Sequence, residues 1–413
     1  MAWNSRLAAA PQPRDQGEAF MRQRRIPAVF MRGGTSRAVM FRRQDLPAER
    51  AQWDAIFLAA LGSPDPEGRQ LDGMGGGVSS LSKVCIVGPP TRADADVDYT
   101  FGQVALREAL VDYSGSCGNM SSAIGPFALD AGMLPEAPRN GPLAVRIHDT
   151  NAGRIIVAHF EARDGEALVD GGLVLDGVAG SGAPVRLEFV DPGGARSGSL
   201  LPSGAVRDVL EVPGIGAVDV SMVDAASPGV FIRAEAVGAT GVETPQQLDA
   251  DLPLLQRLDA VRRTAAVAMG LAADAEAARA RPSLPRIAMI GAPREALLAN
   301  GRRVAASEVD ITVRMVSMGQ AHRAVPATGA LCLAVACRVP GSVAALLAAP
   351  APGAAIRIGH AAGVVLVDAA VDAVQGGFHC RHATLFRTQR RLFEGSVLVR
   401  AGTGGMAPAA QTA

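Results

Sequence analysis

Residues 113–131 read Tyr-Ser-Gly-Ser-Cys-Gly-Asn-Met-Ser-Ser-Ala-Ile-Gly-Pro-Phe-Ala-Leu-Asp-Ala, a turn of small residues that runs without a break into an apolar helical pattern. Such a turn lies where a helix has free backbone N–H groups and the positive end of its dipole, a natural place for an anion. Roughly 210 residues further on the pattern returns: Arg323-Ala-Val-Pro-Ala-Thr328-Gly329 leads into a helical run that opens at Ala330. Two helix starts facing one cleft would hold a dicarboxylate or a tricarboxylate. A glycine-rich turn before a helix is more often an ordinary cap. It is the recurrence that points to two similar units.

Around these segments, short runs at 26–30, 84–87, 144–147, 155–160, 185–190 and 218–223 are bounded by Gly, Pro and Asp, which predicts strands. Helical periodicity is confined to 49–61, 121–131, 252–269, 330–337 and 342–348. With 47 glycines and 27 prolines the chain turns often. The pattern predicts a strand-rich α+β protein with some helices held inside curved sheets. A chain of 413 residues exceeds the ~250–300 at which single cores stop growing, so two domains of comparable size are expected, at 26–205 and 206–400. Residues 1–25 are polar and Arg-rich, carry Asp15 and Glu18, and lack the apolar stretch of a signal peptide. They read as a loose tail, and 401–413 as a second one.

The composition, 48% apolar and 19% charged, suits two cores and excludes a disordered chain. Forty basic residues balance forty acidic ones, leaving no net field for nucleic acid or an anionic membrane, so any anion site must be local. Cys85, Cys117, Cys332, Cys337 and Cys380 are odd in number and form no C-x-x-C pair, which suits a reducing compartment. The richest apolar stretch, 330–337, is closed by Arg338 and Pro340, far short of the ~20 residues of a membrane helix. A soluble, cytoplasmic protein is expected.

The chemistry is concentrated in Leu71-Asp-Gly-Met-Gly-Gly-Gly-Val-Ser-Ser-Leu-Ser-Lys83-Val-Cys-Ile-Val87. Most lysines in strands are solvated or snorkel to the surface. Lys83 instead opens a run that looks buried, where loss of solvent disfavours the charged form and makes a lysine usable as a general base near neutral pH. The backbone at 75–80, with Ser79 and Ser80, would supply donors to a developing negative charge. Cys117 sits in a turn whose N–H groups and following helix dipole stabilise a thiolate. The other cysteines lie among apolar residues or, for Cys380, in an ordinary loop, and read as structural.

Met31-Arg-Gly-Gly-Thr-Ser-Arg37 follows a strand-like run and suits an anion-holding turn built on Gly34, Thr35 and Ser36. No P-loop spacing or G-x-G-x-x-G accompanies it, so nucleotide binding is not expected. The histidines show no H-E-x-x-H pattern. His379-Cys380-Arg381-His382 reads as a short polar loop, and no metal is expected.

These segments together resemble the PrpF family: MRGGTSR at 31–37, GSPDPEGRQLDGMGGGVSSLSK at 62–83, DVDYTFGQVAL at 96–106 and VDYSGSCGNMSSAIGPFAL at 111–129. Weaker matches follow with LPSG at 201–204, VDAASP at 223–228, HRAVPATGA at 322–330, IGHAAG at 358–363 and FRTQRRLFEG at 386–395. The family includes 2-methylaconitate cis-trans isomerase, methylitaconate Δ-isomerase and 4-oxalomesaconate isomerases. The resemblance implies a diaminopimelate-epimerase-like α+β fold, two similar domains each with a mixed sheet wrapped around a central helix and the active site between them. It implies that Lys83 and Cys117 face the substrate, the lysine removing an allylic proton beside a carboxylate, with no cofactor. It further places Gly34, Thr35, Ser36, Ser79, Ser80, Gly118, Asn119, Met120, Met318, His322, Arg323, Thr328 and Gly329 along the substrate.

The wording is closer to the 2-methylaconitate type than to the 4-oxalomesaconate type. Departures at Arg37, Asp224-Ala-Ala-Ser-Pro228, His360-Ala-Ala-Gly363 and Arg387-Thr-Gln-Arg390 bear on substrate choice. A two-thiol epimerase on the same fold is disfavoured, because Pro326 stands where the second cysteine would be expected. A homodimer, and a functional link to an aconitase-like iron–sulfur dehydratase as accessory protein, are the partner readings the sequence leaves open.

Overall fold

The computed structural model describes residues 23–113, 115–298, 301–317 and 319–400. The tail expected at 401–413, nearly all of the one at 1–25 and the candidate Met318 lie outside the described residues.

A 19-stranded mixed sheet carries the chain. In its first half run β1 (Gln23–Gly33), β2 (Ser36–Arg42), β3 (Lys83–Gly88), β4 (Val97–Val104), β5 (Gly141–Asp149), β6 (Arg154–Arg163) and β7 (Val185–Val190). The second half brings β8 (Gly216–Ala225), β9 (Ser227–Arg233), β10 (Arg286–Gly291), β11 (Ile311–Ser317), β12 (Ile356–His360), β13 (Gly363–Val374), β14 (Gly377–Arg387) and β15 (Gln389–Arg400). The helices are α1 (Trp53–Leu61), α2 (Ser121–Asp130), α3 (Pro245–Ala250), α4 (Leu252–Ala268), α5 (Ala275–Arg279), α6 (Ala327–Arg338) and α7 (Val343–Leu347).

The two halves repeat one pairing scheme. From β1 to β6, neighbours pair antiparallel, parallel, antiparallel, parallel, antiparallel. From β8 to β13 the same series recurs. Helices fall at matching places in the series, α1 and α4 before the third strand, α2 and α6 before the fifth. The sheets join where β7 pairs with both β6 and β14, while β15 returns to pair with β1.

Side-chain alternation explains why each half has an inner and an outer helix. In β3, Cys85 and Val87 enter the core around α2, whereas Val84 and Ile86 pack with Trp53, Ile56 and Phe57 of α1. In β10, Ala288 and Ile290 enter the core around α6, whereas Ile287 and Met289 pack with Leu254, Leu258 and Val261 of α4. The inner helices are enclosed on all sides: every residue from Ser121 to Leu129, and from Gly329 to Ala336, is buried. A helix apolar all round belongs in a protein interior, and its many Ala, Ser and Gly let the strands wrap closely.

The segment 379–382, which reads as a loop in the sequence, is instead part of β14, with Cys380 buried and His379, Arg381 and His382 on the other face. Strong charge on the outer face hides the alternation. The strands at 286–291, 363–374 and 389–400 escape a sequence reading for a similar reason, since Ala, Arg and Asp dilute their β-branched residues.

Candidate functional site

Lys83 is the first residue of β3 and lies on the same face as Cys85, toward α2. Directly across in β4 stands Gln103, two residues beyond Phe101 on the face that Val97, Tyr99 and Phe101 give to the same core. Lys83 is only 7% exposed, its Nζ donating to Gln103 Oε1 at 2.5 Å and lying 5.0 Å from the centre of the Phe101 ring. Gln103 Nε2 donates to the carbonyls of Ser79 (3.1 Å) and Ser82 (2.8 Å). Both amide hydrogens are thus committed, which turns the oxygen toward the lysine.

The loop before Lys83 is built around Gln70, 1% exposed. Its Nε2 donates to Ser82 Oγ (2.7 Å) and its Oε1 accepts from Gly77 N (3.1 Å). A Cβ at Gly75 would lie 2.2 Å from Gln70 Oε1, so the glycine is required for close approach. The donors expected from 75–80 are accordingly reduced: Gly75 N donates to Leu61 O and Gly77 N to Gln70. Ser79 is exposed and Ser80 partly so, both at the loop that leads to Lys83.

Cys117 is partly buried against the central core at the start of α2. Its carbonyl accepts from Ser121 N (3.0 Å) and Ser121 Oγ (3.1 Å), and the Asn119 carbonyl from Ser122 N (3.2 Å) and Ser122 Oγ (2.7 Å). The N–H groups of residues 118–120 have no protein acceptor among the described residues, and no side chain caps the helix. Asn119 donates to Thr35 Oγ1 (3.2 Å) and accepts from Arg387 Nε (2.9 Å). Gly34, with φ +52°, lets the 31–37 turn reach this point, since a Cβ there would lie 2.4 Å from Asn119 Oδ1.

Electrostatics follow from burial. The Arg387 guanidinium is pushed down to about 10 by desolvation, with Cys117 opposing. Burial raises the Cys85 thiol, which Cys117 raises further and Lys83 lowers, so Cys85 is within electrostatic reach of both. Asp149, under the turn, is raised by burial and held by Ser116 and the backbone of Asn151 and Ala152.

At the start of α6, Pro326 occupies the cap position and again no side chain caps the helix. Arg286, first residue of β10, donates through Nη1 to Ser227 Oγ (2.6 Å) and Thr328 Oγ1 (3.0 Å). Burial, then Arg286, lowers His322 below its ordinary range. The two helix starts touch: a Cβ at Gly118 would lie 3.1 Å from Ala327 Cβ.

The fold therefore gathers Cys117, Gly118, Asn119, Gly34, Thr35 and the buried Ser36 at one helix start, and His322, Thr328 and Gly329 at the other, while Lys83 opens β3 on the face turned toward the core around α2. The side chain of Met120 is fully buried beneath the turn, which leaves its backbone N–H as the group that can face outward. Arg323 is turned away, its side chain 67% exposed and paired with Asp249 at 3.5 Å. Gln103, Arg286 and Arg387 do not stand out from the sequence as site residues. Gln103 carries a usable signal, a polar residue in phase with the apolar face of β4.

α3, α4, α5 and α7 are capped by the side chains of Thr244, Asp251, Asp274 and Ser342. The inner helices are not, and neither is α1, which continues a 3-10 turn at Arg50–Gln52. Among the described residues no carboxylate pairs with Lys83, Arg286 or Arg387. Positive charge and free N–H groups converge on one place, an arrangement suited to an acid with several carboxylates.

Known proteins are similar to this chain in sequence and fold. A family model described as PrpF protein matches residues 23–400. A 2-methyl-aconitate isomerase from Cupriavidus necator is 40% identical over 387 residues, covering 91% of this chain and 98% of its own. A 3-methylitaconate isomerase from Eubacterium barkeri is 40% identical over 381 residues, covering 91% and 98%. The crystal structure of a methylitaconate-delta-isomerase superposes with a TM-score of 0.85 at 38% identity, covering 94% of this chain and 98% of that one.

Proposed function

Because this chain belongs to the PrpF family, we propose that it shifts a proton, and with it a double bond, within a small unsaturated polycarboxylic acid without a cofactor. It is an isomerase. The observation that carries the finer reading is Lys83, a nearly buried lysine with no acidic partner among the described residues, fixed by Gln103 on the face of β3 that turns toward the core around α2.

An allylic C–H flanked by carboxylates is a weak acid, so the base must be neutral and in contact. Lys83 Nζ takes the proton and becomes an ammonium, while the electron pair of the broken C–H bond spreads through the double bond into a carboxylate. The charge that develops is met by the N–H groups of 118–120 and by Arg387, which are aimed before the reaction begins. The ammonium then returns the proton to the far carbon, which moves the double bond, or to the original carbon after rotation, which exchanges cis and trans. Cys117, at the other side of the turn, positions a carboxylate or returns the proton itself. The electron count is unchanged, so no oxidant or reductant takes part.

Gly34, Thr35, Ser36, Ser79, Ser80, Gly118, Asn119, Met120, His322, Thr328 and Gly329 are read as the substrate-facing set. The substrate is read as 2-methylaconitate or aconitate, with methylitaconate or 4-oxalomesaconate as the second choice. No helix among the described residues is long and apolar enough to cross a membrane, in keeping with a soluble, cytoplasmic enzyme. A proton NMR screen of these four acids with the purified protein tests the reading. Conversion of one of them, lost in Lys83→Met, is expected. No conversion of any would contradict it.

A further inference from the structure

The repeat gives Lys83 a counterpart. Strands β3 and β10 align without a gap, Lys-Val-Cys-Ile-Val-Gly on Arg-Ile-Ala-Met-Ile-Gly. Each pairs parallel to the preceding strand in the same way: Val84 lies opposite Val39, and Ile287 opposite Val230. Cys85 and Val87, like Ala288 and Ile290, enter the central core, while the residues between them face an outer helix. Alternation therefore puts Lys83 and Arg286 at equivalent positions, each opening its strand on the face toward the inner helix. The Arg286 contact to Thr328, in the first turn of α6, agrees with this.

The two residues differ in what they can do. A guanidinium stays protonated and cannot serve as a base, whereas its planar fork matches a carboxylate. Arg286 has hydroxyl partners only, Ser227 and Thr328, both engaged through Nη1. A largely desolvated cation with no acidic partner among the described residues is costly unless an anion completes it.

Resting on the polycarboxylate reading above, we infer that Arg286, with Thr328, binds the substrate carboxylate remote from the carbon that Lys83 deprotonates. Of two equivalent strand positions, one moves the proton and the other holds the far end of the molecule. A site completed in this way should prefer three carboxylates to two.

Calorimetric titration with propane-1,2,3-tricarboxylate and with succinate, neither of which has an allylic proton to move, tests this on the full chain. Wild type is expected to bind the tricarboxylate more tightly. Arg286→Met should lose about 10- to 100-fold in affinity for it, the loss of one charged hydrogen-bonded pair, and bind both acids alike. Arg286→Lys should retain part of the preference, and Lys83→Met should retain it while losing isomerisation. A folded Arg286→Met protein, judged by circular dichroism, with an undiminished preference would overturn the assignment. Should Arg286→Met not fold, an unchanged preference in Arg286→Lys and in Thr328→Val together would overturn it equally. Wild type that binds neither acid would contradict the polycarboxylate reading itself. Isomerisation by Lys83→Met would contradict the role of the lysine and leave the binding test of Arg286 standing.

Discussion

The starts of α2 and α6 share a backbone plan and almost no chemistry. Both are uncapped, both follow a strand that pairs antiparallel with one opening on a basic residue, and they touch at Gly118 and Ala327. Around α2 stand a lysine, a thiol and an amide network. Around α6 stand an arginine, a proline and hydroxyls. On the proposed mechanism the duplicated scaffold divides labour: one copy carries the groups assigned to proton transfer, the other the groups assigned to holding a carboxylate. A racemase that takes a proton from one face and returns it to the other needs a titrating group in each half. An allylic shift returns the proton within one half, which frees the second half for recognition.

The largest effect expected from breaking this division is at Lys83. A placed base typically contributes ~10²–10⁴-fold, so Lys83→Met should lower kcat by that order with an unchanged circular dichroism spectrum, the apolar chain being compatible with the buried face of β3. Steady-state kinetics on the best substrate checks it.

A smaller loss is expected at Cys117. Cys117→Ser should keep a measurable fraction of activity because a hydroxyl still donates a hydrogen bond, and Cys117→Ala should keep less. Equal rates for Cys117→Ala and wild type would reduce this residue to packing.

Gln103 sharpens the comparison further, since its oxygen accepts from Lys83 while both its hydrogens are held by Ser79 and Ser82. Gln103→Leu should cost roughly tenfold in kcat, about one hydrogen bond to a charged or reacting group. In Gln103→Glu a carboxylate of nearly the same size would pair with the lysine, so kcat should fall at least as far as in Gln103→Leu. A Gln103→Glu protein as active as wild type would mean that Gln103 is only structural.

Much of this division is legible in the amino-acid sequence. A lysine after a glycine- and serine-rich turn, opening an apolar run, is a local signal, and so is a cysteine at a helix start. The recurrence of 113–120 at 323–329 foretells the duplicated plan. Gln103 is legible only as a polar residue in phase with the apolar face of β4, since its role depends on register across the β3–β4 pair. Arg286 is hidden because its equivalence to Lys83 is one of strand order, and their neighbours in sequence share little beyond apolar alternation. Arg387 stands out only as part of a motif. It gains its place because β14 hands over to β15 beside Asn119. The backbone at 75–80 suggests donors when met in the sequence, yet the shape of Gln70 explains Gly75 better.

The smallest effect concerns stability. Asp149 and His360 end the equivalent strands β5 and β12, and His360 is pushed down to about 3 by burial, then by Arg314 and Arg387. An unfolded histidine takes up a proton near pH 6.5 and the folded one does not until about 3. The contribution is therefore present above pH 6.5 and is lost as pH falls through that window. Urea midpoints of wild type should fall over this range more steeply than those of His360→Asn, and parallel curves would show that His360 does not set the slope.

The division of labour rests on Lys83 moving the proton, and exchange with solvent reports that step without waiting for turnover. Wild type incubated with its substrate in D₂O should place deuterium at the allylic position, or carry the original proton to the new one, as followed by proton NMR. Lys83→Met should do neither, while Arg286→Met at saturating substrate should still do both. Exchange or isomerisation by a folded Lys83→Met protein at near wild-type rate would contradict the central claim.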